Sequence, residues 1–416
     1  MITTVDTNGD APLSLSVPKP VCRPGDRPDF SSFVIPKAGE TRRPDIDEDP
    51  EDMRDMAFSI VRVLSRAGDA IGPWAEDLSP EFLLAGLRHM MLLRIFDDRL
   101  LKAQRQGKTS FYAQNLGEEA VACAFQSALS KGDMNFPTYR QAGLLIASGY
   151  PIRDMMNQVY SNSGDPLKGR QLPVLYADKA HGFFSVSGNL GTQFIQAVGW
   201  GMASAIAGDT KIAVGWIGDG STAESDFHAA MVFASTYSAP VVLNVVNNQW
   251  AISTFQNMAR GKAVTFAERG HGFGIPAIRV DGNDYLAVYA VAKWAITRAR
   301  RGIGPTLVEH VTYRAGAHSS SDDPSAYRSR RECDAWPLGD PIERLKTHLI
   351  KIGEWSEERH HQAEAEIEAE IRAEQKAAEA LGTLISGGQP SGRDMFEGVY
   401  AEMPPHLQRQ RQEAGY

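Results

Sequence analysis

Residues Lys211–Thr254 read KIAVGWIGDGSTAESDFHAAMVFASTYSAPVVLNVVNNQWAIST, and the fold turns on them. The apolar run Lys211–Ile217 stops abruptly at Gly218-Asp219-Gly220. Phe227, Met231 and Ala234 then recur at helical spacing, Pro240 breaks the pattern, and the β-branched run Val241–Val246 ends in Asn247-Asn248. This spacing predicts a βαβ unit whose two parallel strands both finish in oxygen-bearing side chains. Open α/β sheets collect ligands at the carboxyl ends of adjacent parallel strands, so Asp219 and Asn248 are expected to converge. Two hard oxygens side by side suit Mg²⁺, which takes one or two protein oxygens and completes its shell with phosphate and water. Gly220 lets the backbone approach a phosphate where the helix begins and its N–H groups favour anions. Either short motif alone is an ordinary turn. Their placement after consecutive strand-like runs is what points to metal plus diphosphate.

The same alternation continues downstream. Ala277–Val280 is a third short strand, closed by Asp281-Gly282-Asn283-Asp284. Asp284–Arg301 reads as a helix and Thr306–Thr312 as a fourth strand. The pattern predicts an α/β fold with a single mostly parallel sheet and helices on both faces. The polar stretch Tyr313–Glu332 follows the fourth strand, so it belongs at the same edge, with His318 near its start. A histidine there titrates in a useful range, although a loop histidine is as often inert.

Upstream, Ser79-Pro80 caps a long amphipathic helix that runs to Gln106. Gly117–Leu129 reads as a second helix. Tyr139-Arg140 opens a third; on the residues alone it is first an ordinary arginine beside a packing tyrosine, and second a phosphate clamp. Residues 161–191 are rich in Gly, Ser, Asn and Pro, too long for a plain connector. Ser187, Gly188, Asn189, Leu190, Gly191, Thr192 and Gln193 end that loop, where carbonyls and hydroxyls could hold a monovalent cation. The helix Gln193–Ile206 carries Gly199, Gly201, Ala203 and Ala205, which let backbones approach closely, and is expected to be buried or to face another subunit. Residues 1–78 read as an extended arm with a short helix at Met53–Ala67, residues 79–335 as the α/β domain, and residues 336–416 as a helical extension. Within that extension Ser356–Leu381 is charged enough for a solvated helix, and Asp394–Gln412 is expected as a final helix packing against a neighbour.

Composition narrows the function. A net charge of −8 argues against nucleic acid as the main partner, and no apolar run reaches the length of a membrane span. The start MITTVDTNGDAPLS has neither a secretory h-region nor the arginines of a transit peptide. Three cysteines, far apart and without a CxxC, exclude a disulfide framework and a cysteine zinc site, and fit the cytoplasm.

Taken together, the GDG…NN pair, NNQWAIST, RVDGND and YRAGAHSSSDDPSAYRS resemble the α subunits of the thiamin-diphosphate-dependent, heterotetrameric 2-oxo acid dehydrogenases. SSSDDPSAYRS and MFEGVYAEMPPHLQRQRQE resemble the branched-chain members most. The resemblance spans roughly Pro80–Glu413, with no comparable match in the arm. It implies a thiamin-diphosphate-binding fold and oxidative decarboxylation of branched-chain 2-oxo acids, with acyl transfer to a lipoyl group of an acyltransferase component. It places Mg²⁺ on Asp219, Asn248 and the Trp250 carbonyl, and the diphosphate on the backbone of Gly220 and Ser221 and on Tyr139 and Arg140. The aminopyrimidine end falls to Gly188 and Leu190, and K⁺ in some relatives to Ser187, Asn189, Thr192 and Gln193. His318 matches a cofactor-side histidine linked to acyl transfer. Phe111, Tyr112 and Leu190 are expected pocket walls. Val246 stands where some relatives carry an arginine, so one diphosphate contact is missing or supplied elsewhere. One sheet does not supply the glutamate that activates the pyrimidine, which implies a β subunit and an α2β2 assembly. The alternatives are a pyruvate or acetoin dehydrogenase α subunit, and a scaffold that keeps only the fold.

Overall fold

The structure is a computed structural model and describes residues 15–416; the reading of the first fourteen residues lies outside them. Its centre is a five-stranded, wholly parallel sheet. The strands are β1 (Met134–Phe136), β2 (Ala213–Gly218), β3 (Val241–Asn247), β6 (Ala277–Asp281) and β7 (Thr306–Val311), in the spatial order β1-β2-β3-β7-β6. A two-stranded antiparallel hairpin, β4 (Trp250–Ala251) and β5 (Thr254–Phe255), follows β3.

Alternation along each strand distributes the core between two faces. Val214, Trp216, Val242, Val246, Ile278 and Val308 pack on one side, whereas Ala213, Ile217, Val241, Leu243, Val245 and Leu307 pack on the other. The first side is covered by α1 (Pro80–Arg105), α2 (Glu119–Gln126), α3 (Ala142–Ala147) and α4 (Ile152–Tyr160), and by α8 (Tyr285–Arg300). The second is covered by α5 (Thr192–Ala207) and α6 (Ser225–Thr236), with the one-turn α7 (Asn257–Arg260) at its rim. Caps set several of these boundaries: Ser79 Oγ accepts from Phe82 N, and the Asp284 carboxylate accepts from Ala287 N. The helix expected from Gly117 begins only at Glu119. Gly117 has a φ of +92°, and a Cβ there would lie 2.4 Å from the Tyr313 carbonyl, so the chain must pass β7 before it can coil.

Four expectations fail. Met53–Ala67 is no helix beyond the single turn Arg54–Ala57. Val61 instead pairs in parallel with Val280, giving β6 an edge partner it would otherwise lack. Asp394–Gln412 is not continuous either. A turn at Gly392–Phe396 is separated from α11 (Pro405–Glu413) because Pro404-Pro405 cannot extend a helix, and Met395, Val399 and Tyr400 are exposed. Nor does Gly-Asp-Gly open an α-helix. A 3₁₀ turn, Gly220–Ala223, intervenes, and α6 begins at Ser225. The remaining C-terminal helices are α9 (Pro341–Lys351) and α10 (Glu357–Glu379). The charged α10 is not solvated all round: His360, Ile367, Ile371 and Ala378 form a buried stripe.

A buried polar pair sits in the middle of the sheet. His310 on β7 is fully buried, stacks on Trp216 with centroids 5.8 Å apart, and shares a hydrogen bond of 2.9 Å with Asn244. Burial pushes its pKa down to about 3. Between that value and the ordinary histidine range the unfolded chain binds the extra proton, so stability present above about pH 6.5 is lost as pH falls. At pH 5 the cost is about 2 kcal/mol. His310→Gln is therefore expected to flatten the loss of urea stability between pH 6.5 and 4.5; an unchanged slope would assign that loss to other groups.

Candidate functional site

Every strand of the sheet delivers its following loop to one edge. Asp219 follows β2 and Asn248 follows β3; Tyr139 and Arg140 follow β1, and Arg314 and His318 follow β7. Register holds the two motifs side by side, because Gly218 pairs with Val246 and Asn247 with Val311.

Asp219 is 2% exposed. Its Oδ1 accepts a hydrogen bond of 2.9 Å from Gly220 N, while Oδ2 is buried and has no partner. Burial pushes its pKa up to about 7, and neighbouring Glu118 adds to the rise against the opposing pull of Gly220 N–H and Arg314. Asn248 donates from Nδ2 to Glu118 Oε1 at 2.8 Å. Glu118 is itself 3% exposed, pushed up to about 7 by burial, with Arg140 and the Asn248 amide acting in the opposite direction. Gly220 is required for a reason the sequence conceals: a Cβ would lie 2.4 Å from Ala251 Cβ, so the β4–β5 hairpin closes directly onto the Asp219 turn.

Arg140 is buried and its guanidinium lies over the Tyr139 ring, 5.4 Å from the centroid. It donates from Nη2 to the His318 carbonyl at 2.8 Å and from Nη1 to the Gln114 carbonyl. The reading of Arg140 as an ordinary arginine beside a packing tyrosine does not fit a buried guanidinium tied to two loops. The Tyr139 hydroxyl lies 3.5 Å from His318 Nε2, with the rings edge to face. Burial, then the charges of Arg140 and Arg314, draw the His318 pKa down to about 4, so the imidazole is neutral at pH 7. The backbone N–H of His318 donates to Asp322 at 2.7 Å, which also accepts from the Tyr327 hydroxyl at 2.6 Å. Arg314 donates to the carbonyls of Trp250 at 2.7 Å and Ile252 at 2.9 Å. The Trp250 carbonyl therefore has one lone pair left for any other partner.

Other expected residues stand apart. Ser187, Asn189, Thr192 and Gln193 form a turn bonded to itself: Thr192 Oγ1 donates to the Asn189 carbonyl at 2.8 Å and Gln193 Nε2 to the Ser187 carbonyl at 3.0 Å. Gly188 is exposed and Leu190 half-buried in the same turn, while Ser221 is buried beside Gly220. Phe111 is half-buried, but the Tyr112 side chain belongs to the core, with its hydroxyl donating to Asp97 at 2.7 Å. As a wall of an open pocket Tyr112 is a wrong expectation: its backbone, not its ring, meets the site loop, through bonds to and from Ser320. Among the described residues no cluster of three or more His, Cys, Asp or Glu side chains could hold a metal by themselves, so any metal here must draw on amide, carbonyl or ligand oxygens.

Glu118, Arg314, Asp322 and Glu332 escaped the sequence reading. Arg314 had a signal, since it follows β7 by three residues. Glu118 had none, because it precedes a helix and ends no strand. Glu332 ties the N-terminal arm to the site: it accepts from the Trp250 indole at 2.9 Å and from the Cys22 thiol at 3.2 Å. Phe30 and Phe33 of the arm pack on Trp336, which stacks on Tyr313.

A family model described as "Dehydrogenase E1 component" matches residues 87–385, and one described as "2-oxoisovalerate dehydrogenase E1 alpha subunit N terminal" matches residues 11–51. The chain is 61% identical over 97% of its length to the 2-oxoisovalerate dehydrogenase subunit alpha of Pseudomonas aeruginosa, covering 98% of that protein. It is 41% identical to the mitochondrial 2-oxoisovalerate dehydrogenase subunit alpha of Mus musculus, over 85% of this chain and 79% of that one. It is also 39% identical to a pyruvate dehydrogenase E1 component subunit alpha of Acholeplasma laidlawii, over 81% of this chain and 93% of that one. The chain belongs to the dehydrogenase E1 component family. Within that family its likeness to 2-oxoisovalerate dehydrogenase α subunits runs through the arm as well, contrary to the expectation that the arm has no match.

Removing the Glu332 carboxylate would leave the buried Trp250 indole N–H without its acceptor. Glu332→Ala is expected to cost about 1–3 kcal/mol in urea unfolding, with a change in tryptophan emission; an unchanged midpoint would mean that the arm is not held through this group.

Proposed function

We propose that this chain is the α subunit of a branched-chain 2-oxo acid dehydrogenase, which binds thiamin diphosphate and Mg²⁺ at the carboxyl edge of its sheet. One observation carries the reading: a buried carboxylate oxygen, Asp219 Oδ2, without a partner, beside an asparagine at the end of the next strand. A carboxylate that has lost water on one oxygen and regained nothing there fits a cation, and a single carboxylate beside an amide and a carbonyl fits Mg²⁺ carrying phosphate. Asp219, the Asn248 side chain and the free lone pair of the Trp250 carbonyl are its protein ligands in this reading. Gly220 and Ser221 meet the diphosphate through the backbone, with the Gly220 N–H giving up its bond to Asp219 Oδ1 to do so. Tyr139 and Arg140 bind it from the opposite side, with Arg140 giving up a backbone carbonyl to do so. Gly188 and Leu190 meet the aminopyrimidine end, and Phe111 and Leu190 line the substrate pocket. The turn Ser187, Asn189, Thr192 and Gln193 supplies oxygens for K⁺.

When bound, thiamin diphosphate supplies the electron sink for decarboxylation. The chain's own groups do the rest of what falls to this side of the site. Asp219 and Arg140 anchor charge, the buried surroundings exclude water, and His318, neutral at pH 7, takes up or lends a proton at Nε2 during acyl transfer to the lipoyl group. The carboxylic acid that activates the pyrimidine comes from a β subunit in an α2β2 assembly. Exposed Ile195 and Ile206 on α5, with Val232 and Phe233 on α6, support a partner chain on that side. A lipoyl-bearing acyltransferase is the second partner, and the cytoplasm the proposed location. The names of the Pseudomonas and mouse relatives support the branched-chain substrate; the Acholeplasma relative supports pyruvate as the second reading.

Assembled with its β chain, the protein is expected to prefer 3-methyl-2-oxobutanoate to pyruvate in kcat/KM; the reverse order would establish the second reading. Asp219→Ala is expected to abolish Mg²⁺-dependent binding of thiamin diphosphate in calorimetry, and retained tight binding would remove the metal assignment. His318→Ala is expected to slow lipoyl acylation; if acylation and decarboxylation with an artificial acceptor are both undiminished, the histidine has no such role.

A further inference from the structure

Glu118 lies between the two halves of the site and has no role in the function proposed above. Its Oε1 accepts from Asn248 Nδ2 at 2.8 Å and lies 3.6 Å from Arg140 Nε. The first neighbour is a proposed metal ligand and the second a proposed diphosphate ligand. Side-chain exposure is 5% for Arg140 and 3% for Glu118, so water does not substitute for either contact.

An asparagine amide has two faces, and a metal can use only one. A carboxylate accepts and never donates, so whichever end of the amide meets it must be the NH₂. Glu118 therefore turns Asn248 Nδ2 toward itself and leaves Oδ1 for the opposite side. On that side Oδ1 accepts only a longer bond, 3.3 Å, from the Trp250 N–H, so without the Glu118 acceptor little opposes a half-turn that would present an N–H to the cation. The same carboxylate opposes the charge of Arg140 and holds its Nε side, leaving the two Nη groups at the far end of the fork, where they now meet the Gln114 and His318 carbonyls. Outer partners that orient first ligands in this way are commonly worth 10–100-fold in metal affinity.

We infer that Glu118 is a positioning residue that selects the metal-binding orientation of Asn248. The inference rests on the Mg²⁺–thiamin diphosphate reading of the site. Its essential property is a hydrogen-bond acceptor at the right reach, not a negative charge. Three substitutions separate these. Glu118→Gln keeps the length without the charge, and the donor-only Arg140 beside the shared Oε1 position holds its amide oxygen, not its NH₂, toward Asn248. Glu118→Asp keeps the charge but falls short by one methylene. Glu118→Met keeps the shape and has neither.

The experiment is calorimetric titration of Mg²⁺, at saturating thiamin diphosphate, into each variant assembled with its β chain. Wild type comes first: if it shows no Mg²⁺-dependent cofactor binding, the reading of the site falls, whatever the variants do. If it binds, Glu118→Gln is expected within about threefold of wild type, and Glu118→Asp and Glu118→Met weaker by about 10–100-fold. The inference is overturned if Asp binds like wild type while Gln is weakened, since charge would then be the active property. It is equally overturned if all three bind like wild type and only melting temperatures change, since Glu118 would then be structural. Should Glu118→Met fail to assemble, the order of Gln against Asp decides the matter alone.

Discussion

Asp219 has lost water on both carboxylate oxygens and has regained a hydrogen bond on only one. That shortfall organises the edge of the sheet around it. A buried carboxylate left half-satisfied costs free energy unless something neutralises it. Its surroundings compensate only in part: Arg314 lies close enough to favour the ionised form, while Glu118 disfavours it, and burial outweighs both. The net result is a buried carboxylate that the fold leaves half-satisfied, and the proposed cation would answer that shortfall.

The arginines of the site are occupied with backbone carbonyls. Arg140 ties the loop after α1 to the loop after β7 through Gln114 and His318. Arg314 ties the loop after β7 to the β4–β5 hairpin through Trp250 and Ile252. Each guanidinium thus pins two loops that end different elements, and the fixed fork makes that tie directional. Burial first, and then their positive charge, holds His318 neutral, so the arrangement that sets loop geometry also contributes to the protonation state of the histidine. Asp322 completes the tie from the other side by accepting from the His318 N–H and the Tyr327 hydroxyl.

The N-terminal arm belongs to this arrangement although nothing in its composition announces it. Val61 lies along β6, Asp284 accepts from Val63 N at 2.9 Å and Leu64 N at 2.6 Å, and Glu332 receives the Cys22 thiol. Phe30 and Phe33 seal a small apolar cluster around Trp336 and Tyr313 directly behind the site. The arm is therefore a strap over the carboxyl edge, and it protects an otherwise open sheet edge at the same time.

Local periodicity was enough to find β2, β3, β6 and β7, the helices between them, and the parallel sheet, because each strand is buried on both faces and so reads as a mainly apolar, β-branched run. It was enough, too, to put Asp219, Asn248 and His318 at one edge, since parallel strands all end on the same side. Short β1 escaped because three residues carry no period, and Met53–Ala67 was misread because Val61 pairs with β6 while its other buried apolar residues pack into three different core clusters, not along one helical face. Glu118 and Glu332 were illegible for the same reason. Their partners, Asn248 and Trp250, lie 130 and 82 positions away. Sequence by itself determined which strands exist and what chemistry stands at their ends, since both are local properties of the chain. Only tertiary structure decided which buried carboxylates meet which amides and indoles, because that depends on how loops from distant strands close over one edge.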